Sequence, residues 1–415
     1  MLVDTEINRL ERVLIHRPDT GIGRITPKRA EELLFDDIVH LPQMIEEHDT
    51  FRAVLESFVG KSNVIEVQDL LFEGLEANNS LKSELISRVI EFEELPDNVH
   101  DVFSELNNQE LAELLVTGYH KTRDHILFDP IPNFIFTRDI AVTVKDHILI
   151  TKAFKEARQR ENLLTRFIFA AHPHFEDHRD KLINLNDINK FPPSKKGDRV
   201  SIEGGDMMMI EKEYLLIGCS ERTSSHAFHA VKDVLFANDV IKHVVQVNIP
   251  VDRSYMHIDT LFTRVSQNDL VCFKPIVYDG LGSNVIVHTK EGLKATYAST
   301  KDFFINEINS DMNFIFSGDG ETPYQEREQW TDGCNLVAVK PGVGITYDRN
   351  IHTGYAFEKS GYTMLSAKDF LEKQSQDSNY ATSLEKTIIT IPSGELSRAR
   401  GGSHCMTCPI KRAIV

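Results

Sequence analysis

The stretch RGGSHCMTCP at 400–409 presents Cys405 on a Gly-Gly loop beside the basic Arg400. A neighbouring cation favours the thiolate, the reactive form of cysteine, and glycine lets a substrate approach the backbone closely. Three other stretches gather carboxylates, histidine and glycine at the ends of predicted strands: NFIFTRD at 133–139, EGGD at 203–206 and MHID at 256–259. His257 and Asp259 lie two apart, so on a strand both side chains point to one face. A histidine beside a carboxylate has what acid–base chemistry needs, because the carboxylate favours the protonated ring, and Glu203 is of a type to orient it. Taken alone, a His-x-Asp pair is more often a solvated, hydrogen-bonded pair, and Gly-Gly-x-x-Cys reads as well as a structural loop.

The same residue types could ligate zinc or a non-haem metal. Cys405 and Cys408 form a CxxC, yet no second CxxC completes a zinc ribbon and no thioredoxin-like strand–helix context surrounds it.

Whatever the chemistry, these stretches must be brought together by elements far apart in the chain. RVLIH within 7–18 reads as a strand ended by Pro18. Thr26-Pro27 reads as the cap and first position of a helix running towards Asp37. Residues 42–60 carry Met44, Ile45, Phe51, Leu55 and Phe58 on one helical stripe with Gly60 as the stop, and NVIEV at 63–67 is a strand. From 68 to 126 the pattern is helical: Leu81, Leu85, Val89 and Phe92 follow a Ser80 cap, and Leu111, Leu114 and Leu115 follow Asn108.

After Pro130 an order recurs: hairpin, helix, strand. Its copies begin at IAVTV-KD-HILIT, MMMI-EKE-YLLIG, DTLFTRV-SQND-LVCFKPIV and NLVAVK-PG-VGITY, with the N-terminal segment as a degraded fifth. The polar segment 372–387 reads as a surface loop before a final strand, IITIP. Repeated supersecondary units that cannot bury their faces alone point to a ring, whose closure leaves a central channel where strand ends converge. The expectation is an α/β fold: a catalytic part over 1–67 and 127–415 interrupted by a helical insertion over 68–126.

Composition narrows the function. The 415 residues, 41 % apolar and 26 % charged, are those of an ordinary globular protein. Five scattered cysteines are no disulfide framework, the first residues lack a basic and then apolar leader, and no apolar run approaches the ~18 residues of a membrane span. A cytoplasmic protein with no membrane partner is expected. The net charge of −17 argues against nucleic acid and suits a cationic substrate.

FTRD at 136–139, EGGD at 203–206, ERTS at 221–224, MHID at 256–259, EREQW at 326–330 and GELSRARGGSHCMTCP at 394–409, with ELLFDD at 32–37, resemble arginine deiminases, in that family's order over nearly the whole chain. The resemblance implies a five-fold pseudosymmetric α/β propeller with an inserted helical bundle. It implies Cys405 as nucleophile, His257 as general acid/base, Glu203 as its partner, and Asp139 and Asp259 as the carboxylates that grip a guanidinium. Asn133, Arg158 and Arg222 match positions holding the substrate's α-carboxylate, Arg400 a mobile arginine, and Leu34 a residue lining the site. Asp206 has no assigned role. Two departures stand out: Ala399 where the family's R-G-R-G-G has glycine, and the length of 372–387. The resemblance also implies no metal or organic cofactor and a homo-oligomer.

The chemistry agrees with that substrate. A guanidinium is planar, permanently charged and a poor electrophile, so two carboxylates that fix its carbon over a sulfur are the appropriate complement. The implied reaction is hydrolysis of L-arginine to citrulline and ammonia. Related guanidine chemistries stay open: an arginine dihydrolase giving ornithine, or amidino transfer to an amine. A non-enzymatic arginine- or metal-binding protein would lack one of Cys405, His257, Asp139, Asp259 or Glu203, and none is missing.

Overall fold

The structure is a computed structural model describing residues 1–96 and 99–414. Five sheets share one plan, in which a central strand pairs antiparallel with one neighbour and parallel with the other. In chain order after the first, the central strands are His147–Ile150, Tyr214–Cys219, Asp269–Cys272 and Val343–Tyr347. Their antiparallel partners are Ala141–Val144, Met207–Glu211, Phe262–Arg264 and Val337–Lys340. Their parallel partners are Leu182–Asn184, His243–Asn248, Asn313–Phe316 and Thr387–Ile391. The remaining sheet is assembled from both ends of the chain: Leu10–Ile15 is central, Cys408–Arg412 antiparallel and Val64–Glu66 parallel. The strands read from the sequence therefore recur as expected, and the N-terminal segment completes its unit by borrowing the C-terminal strand.

Several expectations are corrected. Residues 26–35 form turns, not a helix: Leu33 N–H reaches Arg29 O, but Leu34 adopts φ 63° and Phe35 N–H bonds back to Ala30 O. Turning the chain there buries Leu33 and Phe35 and leaves Leu34 facing the pocket described below. Segment 372–387 is mostly helical. Ala367–Gln376, capped by Ser366, and the turn Tyr380–Ser383 bury Phe370 and Ala381 against the same core as the helix Leu41–Val59, and Phe370 stacks on Phe58 at 5.4 Å. Phe370, just before the polar run, and Ala381 and Leu384 within it dock the stretch, because the neighbouring helix supplies a complementary apolar face. The helix caps are Asn78 and Asn107 in place of Ser80 and Asn108, the latter completing a capping box with Glu110. The hairpin Asn284–Thr289 and Gly292–Tyr297, which extends the third sheet to five strands, had no counterpart in the sequence reading, nor had the short strand Leu182–Asn184. In the fourth repeat the strand parallel to the central one is Thr387–Ile391, and Thr363–Ser366 lies outside it.

Helices Val67–Ala77, Asn79–Phe92, Val99–Ser104 and Asn108–Thr117 make up the expected helical stretch, followed by a two-stranded ribbon at Tyr119–His120 and His125–Ile126; residues 97 and 98 of that stretch lie outside the described residues. Their apolar faces join one cluster with Ile140, Ile148, Leu164 and Phe167, so the helices are cored against the second sheet. No helix among the described residues is long and apolar enough to cross a membrane.

In each of these five sheets the strand antiparallel to the central one is preceded by a tight turn, and hydrogen bonds join these turns in a circuit. Gly205 N–H donates to Asp139 Oδ1 at 2.9 Å and Ile258 N–H to Asp206 Oδ1 at 3.0 Å. Asn335 Nδ2 donates to Asp259 O at 3.1 Å and Cys405 N–H to Asn335 Oδ1 at 3.0 Å. Arg138 N–H returns to Cys405 O at 3.0 Å. Each turn is thereby tied to the next and the last to the first.

Docking of 367–383 is tested by Phe370→Ala. Removing a fully buried, stacked ring should cost about 3–5 kcal/mol in urea unfolding, whereas a surface loop would lose almost nothing.

Candidate active site

The turns of the circuit carry or adjoin Asp139, Glu203, His257, Asp259 and Cys405, and neighbouring loops bring the other residues singled out in the sequence to the same place. Leu34, Asn133, Asp139, Arg158, Glu203, Arg222, His257, Arg400 and Cys405 line one pocket with Phe136, Asp36, Arg253, Met256, Thr260 and Ala399. Asp259 lies beneath it, fully buried, and accepts the Cys405 thiol at 3.5 Å. The residues named from the sequence are thus brought together in space, although the expected local geometry is not always the observed one.

His257 and Asp259 do not share a strand face. Ile258–Thr260 is a 3-10 turn, closed by Thr260 N–H and Thr260 Oγ1 on His257 O, and pinned by Asp206 through Ile258 N–H. The turn sends the two side chains apart. His257 Nε2 meets Glu203 Oε2 at 3.0 Å, with Nδ1 4.0 Å from Asp139 Oδ1. Asp259 Oδ2 meets His404 Nδ1 at 2.9 Å, and His404 Nε2 lies 3.2 Å from Glu6 Oε2. Gly205 is essential to this arrangement: a Cβ there would stand 2.6 Å from His257 Nδ1 and 3.0 Å from Asp259 Oδ1. Asp206 anchors the turn, accepting Ser220 Oγ at 2.5 Å with its other oxygen, and lies outside the pocket lining.

The arginines are held by the site's own carboxylates. Arg158 Nη1 donates to Asp139 Oδ2 at 2.6 Å, Nη2 to Glu161 Oε2 at 2.8 Å and to Asn133 O at 3.2 Å. Arg222 Nη1 lies 3.8 Å from Glu203, and Asn133 Nδ2 donates to Leu33 O at 2.7 Å. Arg400, at φ 63°, places its Cζ 3.2 Å from the Trp330 ring centre and Nη1 3.6 Å from Asp36. The positive φ falls on Arg400, so Ala399 sits without strain at the end of the turn Leu396–Ala399, buried in the core. Free space among the lining residues is about 40 Å³, room for a few waters at about 10–15 Å³ each.

The electrostatics follow from this arrangement. Burial pushes the Cys405 thiol well above 9.0, and Asp259, Asp139 and Asp332 push it further. Burial alone would lower His257, but Asp139, the Glu203 hydrogen bond and Asp206 outweigh it and hold the ring protonated up to about 10. Glu203 is held far below the usual carboxylate range, since His257, Arg158 and Arg222 overcome its burial. Asp259 is likewise lowered against its burial by His404. Asp139, Glu203 and His257 offer ligand atoms within 4.8 Å of one another, the one such group among the described residues. The Arg158 guanidinium, 2.6 Å from Asp139 and 3.7 Å from Glu203, already supplies positive charge there and would oppose a metal ion.

Asn335 was missed by the sequence reading, where it is only the first residue of a strand-like run. His404 appears in the sequence only within RGGSHCMTCP, and Trp330 only within EREQW. Cys408 packs in its strand with Sγ on Ala141 O, and both it and Cys405 are free thiols.

The model of the arginine deiminase family matches residues 31–123 and 98–412. Arginine deiminases from Bacillus cereus and Borreliella afzelii are 33 % and 30 % identical over 439 and 438 aligned positions, covering 99 % and 98 % of this chain and 98 % and 97 % of theirs. Among solved structures, the product-bound N-terminal domain of ArgZ, an arginine dihydrolase of the cyanobacterial ornithine–ammonia cycle, has a TM-score of 0.53 at 13 % identity, covering 98 % of both chains. That second likeness is one of α/β fold. The chain belongs to the arginine deiminase family.

His257 gives a titration with a definite sign. Its folded value, about 10, exceeds the ordinary 6.5, so the stability it contributes is fully present below pH 6.5 and is lost as pH rises through about 10. The imidazole of His257, followed by NMR, should titrate near pH 10 and at lower pH in Glu203→Gln. A wild-type midpoint near 6.5 would contradict the charge network.

Proposed function

We propose that this chain is an arginine deiminase, hydrolysing L-arginine to L-citrulline and ammonia through a covalent intermediate on Cys405. The observation that carries the proposal is one pocket in which the Cys405 thiol touches Asp259 while the His257–Glu203 pair faces Asp139. A carboxylate-lined, thiol-floored pocket complements a cation with an electrophilic carbon, and no developing oxyanion calls for N–H donors.

Asp139 and Asp259 grip the guanidinium on either side of the sulfur. Asp139 now holds the guanidinium of Arg158, so binding exchanges an internal guanidinium for the substrate's and releases Arg158 towards the α-carboxylate, with Arg222 and Asn133. The limited free volume fits this exchange, since Arg158, Arg222 and Arg400 occupy the pocket walls. Arg400, stacked on Trp330 beside Leu34, lies where it can follow the substrate. The incoming charge offsets the carboxylates that keep Cys405 a thiol; the thiol releases its proton to water, and the thiolate then attacks the guanidinium carbon. Protonated His257 donates its proton to the departing nitrogen, which leaves as ammonia. A thiouronium remains on sulfur. Neutral His257 next takes a proton from water, whose oxygen attacks the same carbon, and collapse returns the electron pair to Cys405 and frees citrulline.

The finer architecture belongs to the same proposal: the five sheets as blades of a five-fold pseudosymmetric propeller, with 68–126 inserted into a catalytic part formed by 1–67 and 127–415. The shared plan of the sheets and the circuit of turn-to-turn hydrogen bonds support it. A cytoplasmic homo-oligomer that needs no metal or cofactor completes the reading.

Purified protein incubated with L-arginine should release citrulline and ammonia in equal amounts. Ornithine without accumulating citrulline would sink the assignment. Cys405→Ala should abolish turnover, and His257→Gln should lower kcat by about 10²–10⁴-fold. Mass spectrometry of quenched reactions should place the adduct on Cys405.

A further inference from the structure

The fourth turn of the circuit enters through Asn335, at the place that Asp139, Asp206 and Asp259 hold in three others. Its side chain is fully buried, and its three polar contacts fix its orientation. Oδ1 accepts Cys405 N–H at 3.0 Å, while Nδ2 donates to Asp259 O at 3.1 Å and to Cys405 Sγ at 3.2 Å. A backbone N–H requires an acceptor and a backbone carbonyl a donor, so the oxygen must face the first and the amino group the second, and with it the sulfur. Asn335 is itself clamped, its carbonyl accepting Ser403 Oγ at 3.3 Å. Gly402 leaves it room, since a Cβ there would lie 2.7 Å from both Asn335 oxygens.

Charges around the sulfur otherwise have the wrong sign for an anion. Asp259 Oδ2 lies 3.5 Å away, and Asp139 and Asp332 add to its effect. Among the described residues, Asn335 is the one hydrogen-bond donor to Sγ. We infer that Asn335 is a further catalytic residue, whose side-chain amide holds the Cys405 sulfur and stabilises its thiolate as both nucleophile and leaving group. This rests on the cysteine-nucleophile reading above. In attack, the sulfur's electron pair becomes the S–C bond; in collapse, that bond breaks and the pair returns to sulfur. The amide is aligned with the anion at both ends of the sequence.

Stabilising a thiolate also dulls it. Each unit by which a thiol's pKa falls raises its thiolate fraction tenfold while it remains above ambient pH, but lowers nucleophilicity only about threefold for a Brønsted slope of about 0.4–0.5. Because burial and carboxylates hold this thiol high, the gain in population outweighs the loss in reactivity.

The test is alkylation of Cys405 by iodoacetamide as a function of pH, resolved by peptide mass spectrometry, in wild type, Asn335→Ala and Asn335→Asp. Loss of the donor should move the midpoint upward by about one unit in both variants. It should also lower kcat/KM for arginine about ten- to hundredfold, mainly through kcat. Asn335→Asp adds a charge of its own, so a shift confined to that variant overturns the donor role, as does an unmoved midpoint in Asn335→Ala. Should Asn335→Ala fail to fold, Asn335→Ser, whose shorter side chain cannot span the same three partners, is read in its place by the same criteria. Alkylation does not depend on arginine turnover. A shifted midpoint in a protein whose wild type leaves arginine untouched would sink the deiminase reading and keep the donor; turnover with an unmoved midpoint would sink the donor alone.

Discussion

Five hydrogen bonds between successive turns, closing from Cys405 back to Arg138, are the constraint on which the rest of the site depends. Each turn leads into the antiparallel strand of a sheet, so the circuit fixes where those five strands begin and where their leading side chains point. It also satisfies backbone groups buried at the meeting of the sheets, where unpaired polar atoms would be costly. Aspartate or asparagine provides the side-chain link at four junctions, because their short side chains reach a neighbouring backbone without needing space that the centre lacks. At Cys405 the backbone carbonyl does this work, which leaves the sulfur free.

That geometry concentrates charge. Asp139, Glu161, Glu203 and Asp259 face Arg158, Arg222 and the protonated His257, with His404 hydrogen-bonded to Asp259, all largely removed from solvent. Buried ion pairs are poor stabilisers, because desolvation offsets their attraction. The network is better understood as readiness for a cation. Burial and carboxylates keep the thiol protonated, the carboxylates hold the imidazole charged against its burial, and the proposed substrate supplies the charge that changes both.

The motifs, their order and the strand plan were legible before any coordinates, because hairpins and amphipathic helices are local patterns. The helix read at 26–37 failed for a nonlocal reason: Leu34 takes a left-handed conformation so that Phe35 can enter the core. Segment 372–387 failed in the opposite sense, since the face that docks Phe370 belongs to a helix some three hundred positions earlier. The hairpin at 284–297 carried no motif and was passed over.

Through their resemblance to arginine deiminases, the motifs and their order were enough to name Cys405, His257, Glu203, Asp139 and Asp259 as one chemical group. Only the tertiary structure decided that Asp259 parts from His257. Glu203 pairs with His257, while Asp259 turns away to His404 and the sulfur, because the turn at Ile258 is pinned by Asp206 from another sheet. Asn335 entered the site in the same way. A lone asparagine carries no signal in a sequence, and its amide acquires a role only when the closing of the chain brings Cys405 within 3.2 Å.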